Sequence, residues 1–185
     1  RALAQFERSL QIDPSHSKTL LNIGIVRAWG KQDLEGAAKA WEKVVEVNVM
    51  GVWRTIRAGL PEIKKNGGQA VIISSSYAHV NGIFNSSYAV SKAAVEALGR
   101  ALQIELAPYG ASATIAYFGY VETDLVSKVF DNAAADRFRD EMVPGFLTKP
   151  IKVGKAAGAL VEGIENRSLR VIEPPIWKVP FYMRG

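Results

Sequence analysis

The chain has 185 residues, of which 48% are hydrophobic and 22% are charged, as is typical of a globular protein. It contains no cysteine, and its two histidines, His16 and His79, lie far apart, so we expect neither disulfides nor a metal site. The net charge is +5, but the longest basic run is Lys64–Lys65 and acidic residues are interspersed, so we do not expect nucleic-acid binding. No apolar run approaches the roughly 18 residues of a membrane span, and no signal-peptide core is visible. We therefore expect a cytoplasmic protein without a membrane anchor.

The first 48 residues have a helical pattern. The stretch ALAQFERSLQIDP places apolar side chains near one face of a helix that is predicted to end at Asp13-Pro14. A second helix is predicted over residues 18–29, where Gly30 ends it, and a third begins near Leu34. These short turns predict helices that pack against one another in sequence.

Paired helices of this length resemble the tetratricopeptide repeat, whose period is about 34 residues. The matching positions are Ala2, Phe6, Pro14, Ile23-Gly24, Ala37 and Trp41. Arg27 stands where the repeat usually has a tyrosine. The resemblance covers about one and a half repeats, whereas about three are needed for a stable solenoid. It implies a helical hairpin over residues 1–40 that presents a small surface for peptides or partner proteins.

From Trp41 onward, predicted helices alternate with predicted strands. Helices are predicted over 41–65, 88–109 and 150–166, and buried strands over 70–74, 111–118 and 169–173. This alternation predicts a parallel sheet of the α/β class. Residues 121–148, between the second strand and the last helix, are rich in large apolar side chains and resemble a mobile flap.

Two polar residues that could carry chemistry lie at the start of the helix after the first strand. Tyr88 and Lys92 are one helical turn apart, and Ser75 ends the preceding strand. Because ligands bind at the carboxyl edge of a parallel sheet, we expect all three at one site. An ammonium group favours the phenolate, so Lys92 is expected to lower the pKa of Tyr88 from about 10. Tyr88 would then donate and accept protons, while Ser75 stabilises charge on the same substrate oxygen.

This arrangement resembles the short-chain dehydrogenase/reductase family over about residues 41–174. Its four signature residues are matched by Ser75, Tyr88, Lys92 and, within the helical stretch VNVMGVW, Asn48. The stretch AYFGYVETDL resembles the loop that follows the sixth strand of that family, with Gly119 and Thr123 in place. Phe118 stands where the family usually has proline. Several motifs therefore occur in the order that the family has them.

The resemblance implies an oxidoreductase that interconverts an alcohol and a carbonyl compound by hydride transfer with NAD or NADP. Tyr88 would transfer the proton, Lys92 would lower its pKa and bind the nicotinamide ribose, and Ser75 would position the substrate oxygen. Asn48 would order a water in the proton relay, and Thr123 would hydrogen-bond the cofactor. The residues that the resemblance assigns to the cofactor are Tyr88, Lys92, Gly119 and Thr123.

Each of these residues also has a purely structural interpretation. Ser75 is one of three serines at a strand end, and Tyr88 with Lys92 could form an exposed pair at a helix start. Asn48 could be an ordinary helix residue, and Thr123 could cap a helix that begins at the next residue. The sequence leaves these alternatives open.

One motif of the family is missing. No G-x3-G-x-G turn, which receives the cofactor pyrophosphate at a helix N-terminus, occurs in this sequence. We therefore predict the C-terminal half of a Rossmann-like parallel sheet with flanking helices over residues 41–185, preceded by the repeat-like helical segment of residues 1–40. Such a chain would be a fragment or a chimera, joined at residues 41–48.

Three hypotheses for function remain open at this point. The first is an NAD(P)-dependent oxidoreductase acting on a small alcohol or carbonyl compound, which the apolar 121–148 segment suggests is apolar. The second is a scaffold that binds partners through the N-terminal helices and has no enzymatic activity. The third is a structural relic that is inactive. An apolar strand edge at residues 70–74 also predicts a homo-oligomer.

Overall fold

The computed structural model of the chain describes residues 2–80, 86–123, 145 and 149–183. Four helices come first: α1 (Ala2–Ile12), α2 (Ser17–Ile25), α3 (Leu34–Val45) and α4 (Gly51–Lys65). They are followed by β1 (Gln69–Ile73), α5 (Ser86–Leu106), β2 (Ser112–Phe118), α6 (Val153–Glu165), β3 (Arg170–Glu173) and α7 (Lys178–Met183). The predicted alternation of helices and strands is confirmed. Most of the apolar segment at 121–148 lies outside the described residues.

The three strands form one parallel sheet in the order β1-β2-β3. Ile72 of β1 lies beside Ile115 of β2, and Ala116 of β2 lies beside Val171 of β3. The predicted α/β fold of Rossmann type, with a parallel sheet and flanking helices, is therefore confirmed. Within the part of the chain that the structure describes, no strand pairs with the outer edge of β1.

Helix α5 packs on the sheet through a stripe of apolar residues at helical spacing. Val95, Leu102 and Leu106 are buried, and they contact a cluster that includes Ile72 of β1. Gly99 belongs to the same stripe, because a Cβ at this position would lie 2.7 Å from Cγ1 of Ile115. The absence of a side chain there allows α5 to lie close to the sheet. No helix of the described residues is both long and apolar enough to cross a membrane.

Helices α1 to α3 form a separate layer of packing. Asp33 caps α3, since its carboxylate accepts a hydrogen bond from the N–H of Gly36 at 2.8 Å. Leu20 of α2 and Val44 of α3 are the buried apolar residues of a small cluster between these helices. The predicted helices of residues 1–48 are confirmed, whereas their assignment to the tetratricopeptide repeat stays a prediction.

Two π-helical turns interrupt the N-terminal helices. One, Val26–Gly30, follows α2, and the other, Glu46–Met50, joins α3 to α4. The uninterrupted helix predicted over residues 41–65 is thus divided at the second π-turn. Turns of this type widen the helix locally and occur often at functional sites. The second one contains Asn48, a residue of the predicted site.

Candidate active site

The site begins where β1 ends. Ser75 has extended backbone angles and starts the short helical turn Ser76–Ala78. Its hydroxyl accepts a hydrogen bond from the N–H of Tyr77 at 3.2 Å and donates one to the carbonyl of Phe118 at 3.4 Å. Ser75 is buried between the ends of β1 and β2. The strand end therefore holds this hydroxyl at the carboxyl edge of the sheet, as predicted.

Tyr88 lies in the first turn of α5 and faces this strand end. Its side chain lies close enough to that of Ser75 for the two to interact, and this interaction favours the phenolate. The Tyr77 ring packs edge-on against the Tyr88 ring, with ring centroids 5.7 Å apart. The Ser74 hydroxyl donates a hydrogen bond to the carbonyl of Lys92 at 3.0 Å, which ties the strand end to the first turns of α5. Ser75 and Tyr88 are therefore brought together.

The pKa of Tyr88 differs from the expectation. Burial raises it above its ordinary value, the hydrogen bond with Ser75 lowers it, and the hydroxyl of Tyr120 raises it further. The expectation that Lys92 would lower the pKa of Tyr88 is wrong for this conformation, because desolvation of the phenolate outweighs the other influences. Tyr88 is a neutral phenol here, which can donate a proton but is a weak base.

Lys92 lies one helical turn after Tyr88, as the spacing predicts. Its Nζ is 5.6 Å from the centroid of the Tyr88 ring and donates a hydrogen bond to the carbonyl of Ile73 at 3.1 Å. This carbonyl is at the end of β1. Burial lowers the pKa of Lys92, because an ammonium loses hydration there. The ammonium thus lies beside the phenol ring, with its described hydrogen bond directed to the strand end.

Asn48 reaches the same site from the π-turn between α3 and α4. Its Nδ2 donates a hydrogen bond to the hydroxyl of Ser91 at 3.0 Å. Ser91 in turn donates to the carbonyl of Tyr88 at 2.7 Å. The side chain of Asn48 is therefore linked through one hydroxyl to the backbone of Tyr88, although the two residues are far apart in the sequence.

The two remaining predicted residues lie beyond the end of β2. Gly119 follows the strand, and its N–H donates a hydrogen bond to the carbonyl of Glu173 at 2.9 Å. The indole of Trp177 lies directly against Gly119, so that a Cβ at this position would clash with it. Thr123 is exposed at the end of a described stretch. The structure thus brings Ser75, Tyr88, Lys92 and Asn48 into one set of contacts. Gly119 directly follows Phe118, whose carbonyl accepts the hydrogen bond of Ser75.

Sequence reasoning missed several residues of this site. The hydroxyls of Tyr77 and Tyr120 lie 3.1 Å apart, so the turn after β1 contacts the loop after β2. Both tyrosines come just after a parallel strand. This position could have indicated that they lie at the carboxyl edge of the sheet, where ligands bind. His79 lies among the rings of Tyr117 and Phe181 rather than at the site, with centroid distances of 5.7 and 5.2 Å. No local pattern in the sequence indicated that aromatic cluster.

The chemistry available to this arrangement is proton transfer to or from an oxygen atom. A phenol and a hydroxyl, those of Tyr88 and Ser75, lie close enough to interact. An ammonium, Lys92, lies within one helical turn. Among the described residues there is no group of His, Asp and Glu side chains that could hold a metal ion.

Comparison with known proteins places this chain in a family. The family model for short chain dehydrogenases matches residues 20–134. The match therefore starts within the segment that the sequence analysis assigned to a helical repeat. An uncharacterized NAD-dependent oxidoreductase of Mycobacterium tuberculosis is 41% identical over 91 residues, which are 48% of this chain and 32% of the relative. D-beta-hydroxybutyrate dehydrogenase of Rhizobium meliloti is 32% identical over 98 residues, or 52% of this chain and 38% of the relative.

Solved structures are similar as well. A short-chain dehydrogenase from Streptomyces avermitilis has a TM-score of 0.63 and 26% identity, covering 78% of this chain and 56% of that one. A gluconate 5-dehydrogenase from Burkholderia cenocepacia, solved with NADP and tartrate, shares the fold with a TM-score of 0.59, 24% identity, and coverage of 68% of this chain and 49% of that chain. The matched region spans about a third of these curated relatives and about half of these solved structures. The chain belongs to the short-chain dehydrogenase family.

Proposed function

We propose that this chain carries the proton-transfer side of an NAD(P)-dependent oxidoreductase that interconverts an alcohol and a carbonyl compound. The observation that carries the proposal is the contact of Ser75 with Tyr88 beside Lys92, at the carboxyl edge of a parallel sheet. The family membership and the names of the relatives, an NAD-dependent oxidoreductase and a D-beta-hydroxybutyrate dehydrogenase, support the reaction class.

In this proposal Tyr88 is the general acid for reduction. Its pKa lies above the ordinary value, so the phenol keeps its proton at neutral pH and can donate it to a carbonyl oxygen. The hydroxyl of Ser75 hydrogen-bonds the same oxygen and stabilises the charge that develops there. In the reverse direction Tyr88 must accept the proton of the alcohol, which requires a lower pKa than this conformation gives.

Lys92 and Asn48 take supporting roles. An ammonium has three N–H donors, and the described hydrogen bonds of Lys92 use one of them, to Ile73. The other two suit the hydroxyls of a ribose. Asn48 donates from Nδ2 to Ser91, which leaves its carbonyl oxygen to accept a hydrogen bond from a water in the proton relay. We assign Asn48 the role of ordering that water, and the water then connects the proton relay to Lys92.

The residues present fit the nicotinamide end of the cofactor. Tyr88 and Lys92 offer a phenol and an ammonium side by side, which is the donor set that a ribose next to a reacting ring needs. Gly119 and Thr123 complete the proposed contacts from the loop after β2. When bound, NAD or NADP would supply or accept the hydride. The sequence contains no glycine-rich turn for the pyrophosphate, so we expect no saturable binding of NADH or NADPH below about 1 mM.

Other parts of the proposal rest on the sequence. We propose a small apolar alcohol or carbonyl compound as substrate, a cytoplasmic location, and a division into residues 1–40 and 41–185. Association into a homo-oligomer is proposed because the outer edge of β1 pairs with no other described strand and Ile73 on it is 45% exposed.

The test is a turnover assay of the full chain at several millimolar NADH or NADPH with a panel of small ketones and aldehydes. The proposal predicts slow oxidation of the cofactor that depends on the carbonyl compound and is lost in Tyr88→Phe. Turnover that persists in Tyr88→Phe would contradict the assignment of the site. No turnover with any compound would contradict the proposed activity.

A further inference from the structure

The chain leaves the sheet immediately before Ser75. The N–H of Ser74 donates a hydrogen bond to the carbonyl of Ala116 at 2.8 Å, which is the last described backbone bond from the end of β1 to β2. Beyond it, the Ser75 hydroxyl donates to the carbonyl of Phe118 at a long 3.4 Å. Because the regular pairing of the sheet ends here, the position of this hydroxyl depends on what holds the turn that follows.

Residues 75–80, which we name the Ser75 turn, form a compact unit. The N–H of Ala78 donates to the carbonyl of Ser75 at 3.0 Å. The N–H groups of His79 and Val80 both donate to the carbonyl of Ser76, at 3.1 and 2.9 Å. These overlapping bonds link the two ends of the turn, so a displacement of His79 is transmitted through the backbone to Ser75.

The ring of His79 packs among three aromatic rings. Its centroid lies 5.2 Å from that of Phe181, 5.7 Å from that of Tyr117 and 6.5 Å from that of Trp177, each in an edge-on arrangement. All three partners are buried. Edge-on pairs at such distances are favourable beyond the area that they bury. His79 therefore holds the far end of the Ser75 turn in the core.

Two of these three rings belong to the C-terminal segment, residues 175–183, which follows β3. Trp177 ends a short helical turn, and Phe181 is the buried residue of α7. On the outer side of α7, Val179 is 54% exposed. The C-terminal segment thus packs on the cluster through its two buried rings, and His79 joins it to the Ser75 turn.

The same turn also contacts the phenol of Tyr88. The side chain of Ser75 interacts with that of Tyr88. The Tyr77 ring packs edge-on against the Tyr88 ring, with the centroids 5.7 Å apart. The Ser75 turn therefore connects the buried aromatic cluster on one side with Tyr88 on the other.

We propose that His79 is a positioning residue: its ring, held between β2 and the C-terminal segment, fixes the turn that keeps the Ser75 hydroxyl beside Tyr88. In this assignment His79 acts through Ser75 and touches no reacting atom. The meaning of this role for catalysis rests on the proposed function of Tyr88. The coupling between His79 and Tyr88 is a property of the folded chain, and it can be measured without turnover.

The test follows the Tyr88 phenol by NMR in the full chain, labelled with ¹³C at the tyrosine Cζ. Tyr88→Phe assigns the resonance, and Ser75→Ala gives its chemical shift when the neighbouring hydroxyl is absent. His79→Ala should move the Tyr88 resonance toward its position in Ser75→Ala. Because His79 acts through Ser75, the two changes together should shift the resonance by less than the sum of the single shifts.

Three variants separate positioning from a general loss of stability. His79→Phe keeps an aromatic ring in the cluster and should leave the Tyr88 resonance near its original position. Leu106→Ala removes a fully buried side chain at the opposite end of α5, so it destabilises the chain away from the Ser75 turn. Val179→Ala changes only the exposed side of α7. Neither of these last two variants should move the resonance.

Phe181→Leu tests the same link from the C-terminal segment and leaves the sequence of the Ser75 turn unchanged. It removes the ring that lies closest to His79 among the three partners. It should move the Tyr88 resonance in the same direction as His79→Ala. This variant decides the matter if His79→Ala does not fold.

Three results would overturn the proposal. The first is a Tyr88 resonance that stays in place in folded His79→Ala or in Phe181→Leu. The second is an equal shift in Leu106→Ala, because the effect would then report a general loosening. The third is a shift in His79→Phe as large as in His79→Ala, or strict additivity with Ser75→Ala, since ring packing that acts through Ser75 would not be the cause.

Turnover gives a separate measurement. In a chain that reduces a carbonyl compound, His79→Ala should lower kcat by about 10- to 100-fold, as expected for a displaced catalytic group. The loss should not exceed that of Ser75→Ala, which removes the hydroxyl itself. The NMR coupling in a chain without reductase activity would retain the positioning role of His79 and remove only the proposed function.

Discussion

Helix α5 has two neighbours that hold it in different ways. On one side lies the sheet, against which Val95 and Leu106 are fully buried in a continuous core. On the other lie the N-terminal helices, which contact its first turn through the small cluster of Leu20 and Val44. The sheet side therefore fixes the position of α5, whereas the helical side adds a small apolar contact at its first turn.

The contacts of Tyr88 and Lys92 follow the same division. Toward the sheet they are polar, since Tyr88 interacts with Ser75 and Lys92 donates to the carbonyl of Ile73. Toward the helices the contact of Tyr88 is apolar. The polar contacts of the two side chains therefore lie on the sheet side, and the apolar contact of Tyr88 lies on the helical side.

The largest effect is expected at the phenol itself. Tyr88→Phe keeps the ring that packs against Leu20 and Val44 but removes the proton donor. Any carbonyl reduction by the chain should fall by about 10²–10⁴-fold in a cofactor-oxidation assay. Tyr109→Phe is the control, because Tyr109 is 51% exposed and follows the C-terminal end of α5. The activity of this variant should equal that of the unchanged chain. Equal losses in both variants would show that the effect is not specific to the site.

The sheet side can be tested through glycine. In Gly99→Ala the new Cβ would lie 2.7 Å from Cγ1 of Ile115, so the Ile115 side chain or the backbone of α5 must shift. We expect the free energy of unfolding to fall by about 1–3 kcal/mol, as for other overpacked cores. Gly158→Ala, in α6 with no atom within 4 Å of the new Cβ, should instead gain about 0.4–1 kcal/mol. A urea denaturation series measures both free energies of unfolding. A Gly99→Ala variant as stable as the unchanged chain would contradict the close packing.

The sequence predicted the sheet side well because its signals are local. The apolar run around Ile72 bounded by turn residues indicated a buried strand, and alternation with helices made the sheet parallel. The spacing of Tyr88 and Lys92 placed them on one helix face, and the end of β1 placed Ser75 beside them. These features depend on a few neighbouring residues and on general rules of chain topology.

The helical side was predicted less completely. The helices themselves were expected, but not that Leu20 and Val44 would cover Tyr88, since that contact joins residues with no shared periodicity. The expected direction of the Tyr88 pKa was wrong because burial raises this pKa, and burial cannot be inferred from spacing in the way that a nearby ammonium can. The π-turn at Asn48 also left no mark in the helical pattern.

A smaller effect is expected where the two sides meet. Asn48→Ala removes the hydrogen bond to Ser91 and should cost about 0.5–1.5 kcal/mol of unfolding free energy. Because Ser91 also bonds the carbonyl of Tyr88, Ser91→Ala combined with Asn48→Ala should cost less than the sum of the two single changes. Asn66→Ala, which removes an exposed amide, should cost under about 0.5 kcal/mol. Strict additivity in the urea data would contradict a linked network.

The pH dependence of stability should be the most modest signal. The folded state raises the pKa of Tyr88. The contribution of Tyr88 to the free energy of unfolding is therefore fully present below the ordinary pKa of 10.0 and is lost as the pH rises through the folded pKa. Lys92 acts in the opposite sense, because the folded state lowers its pKa. Its contribution to the free energy of unfolding is present above its ordinary pKa of 10.5 and is lost as the pH falls through the folded pKa. The unchanged chain should therefore lose stability relative to Tyr88→Phe only above about pH 10. Lys92 is present in both chains, so its own pH dependence cancels in this comparison.

The most direct test of a proton donor kept neutral by burial is the titration of Tyr88 itself. The chain would be labelled with ¹³C at the tyrosine Cζ, and Tyr88→Phe would assign the Tyr88 resonance. Its chemical shift would then be followed from neutral to alkaline pH. Tyr88 should titrate above its ordinary pKa of 10.0 in the unchanged chain. A Tyr88 that already titrates below 10.0 in the unchanged chain would be an exposed and activated phenol, and would contradict the account.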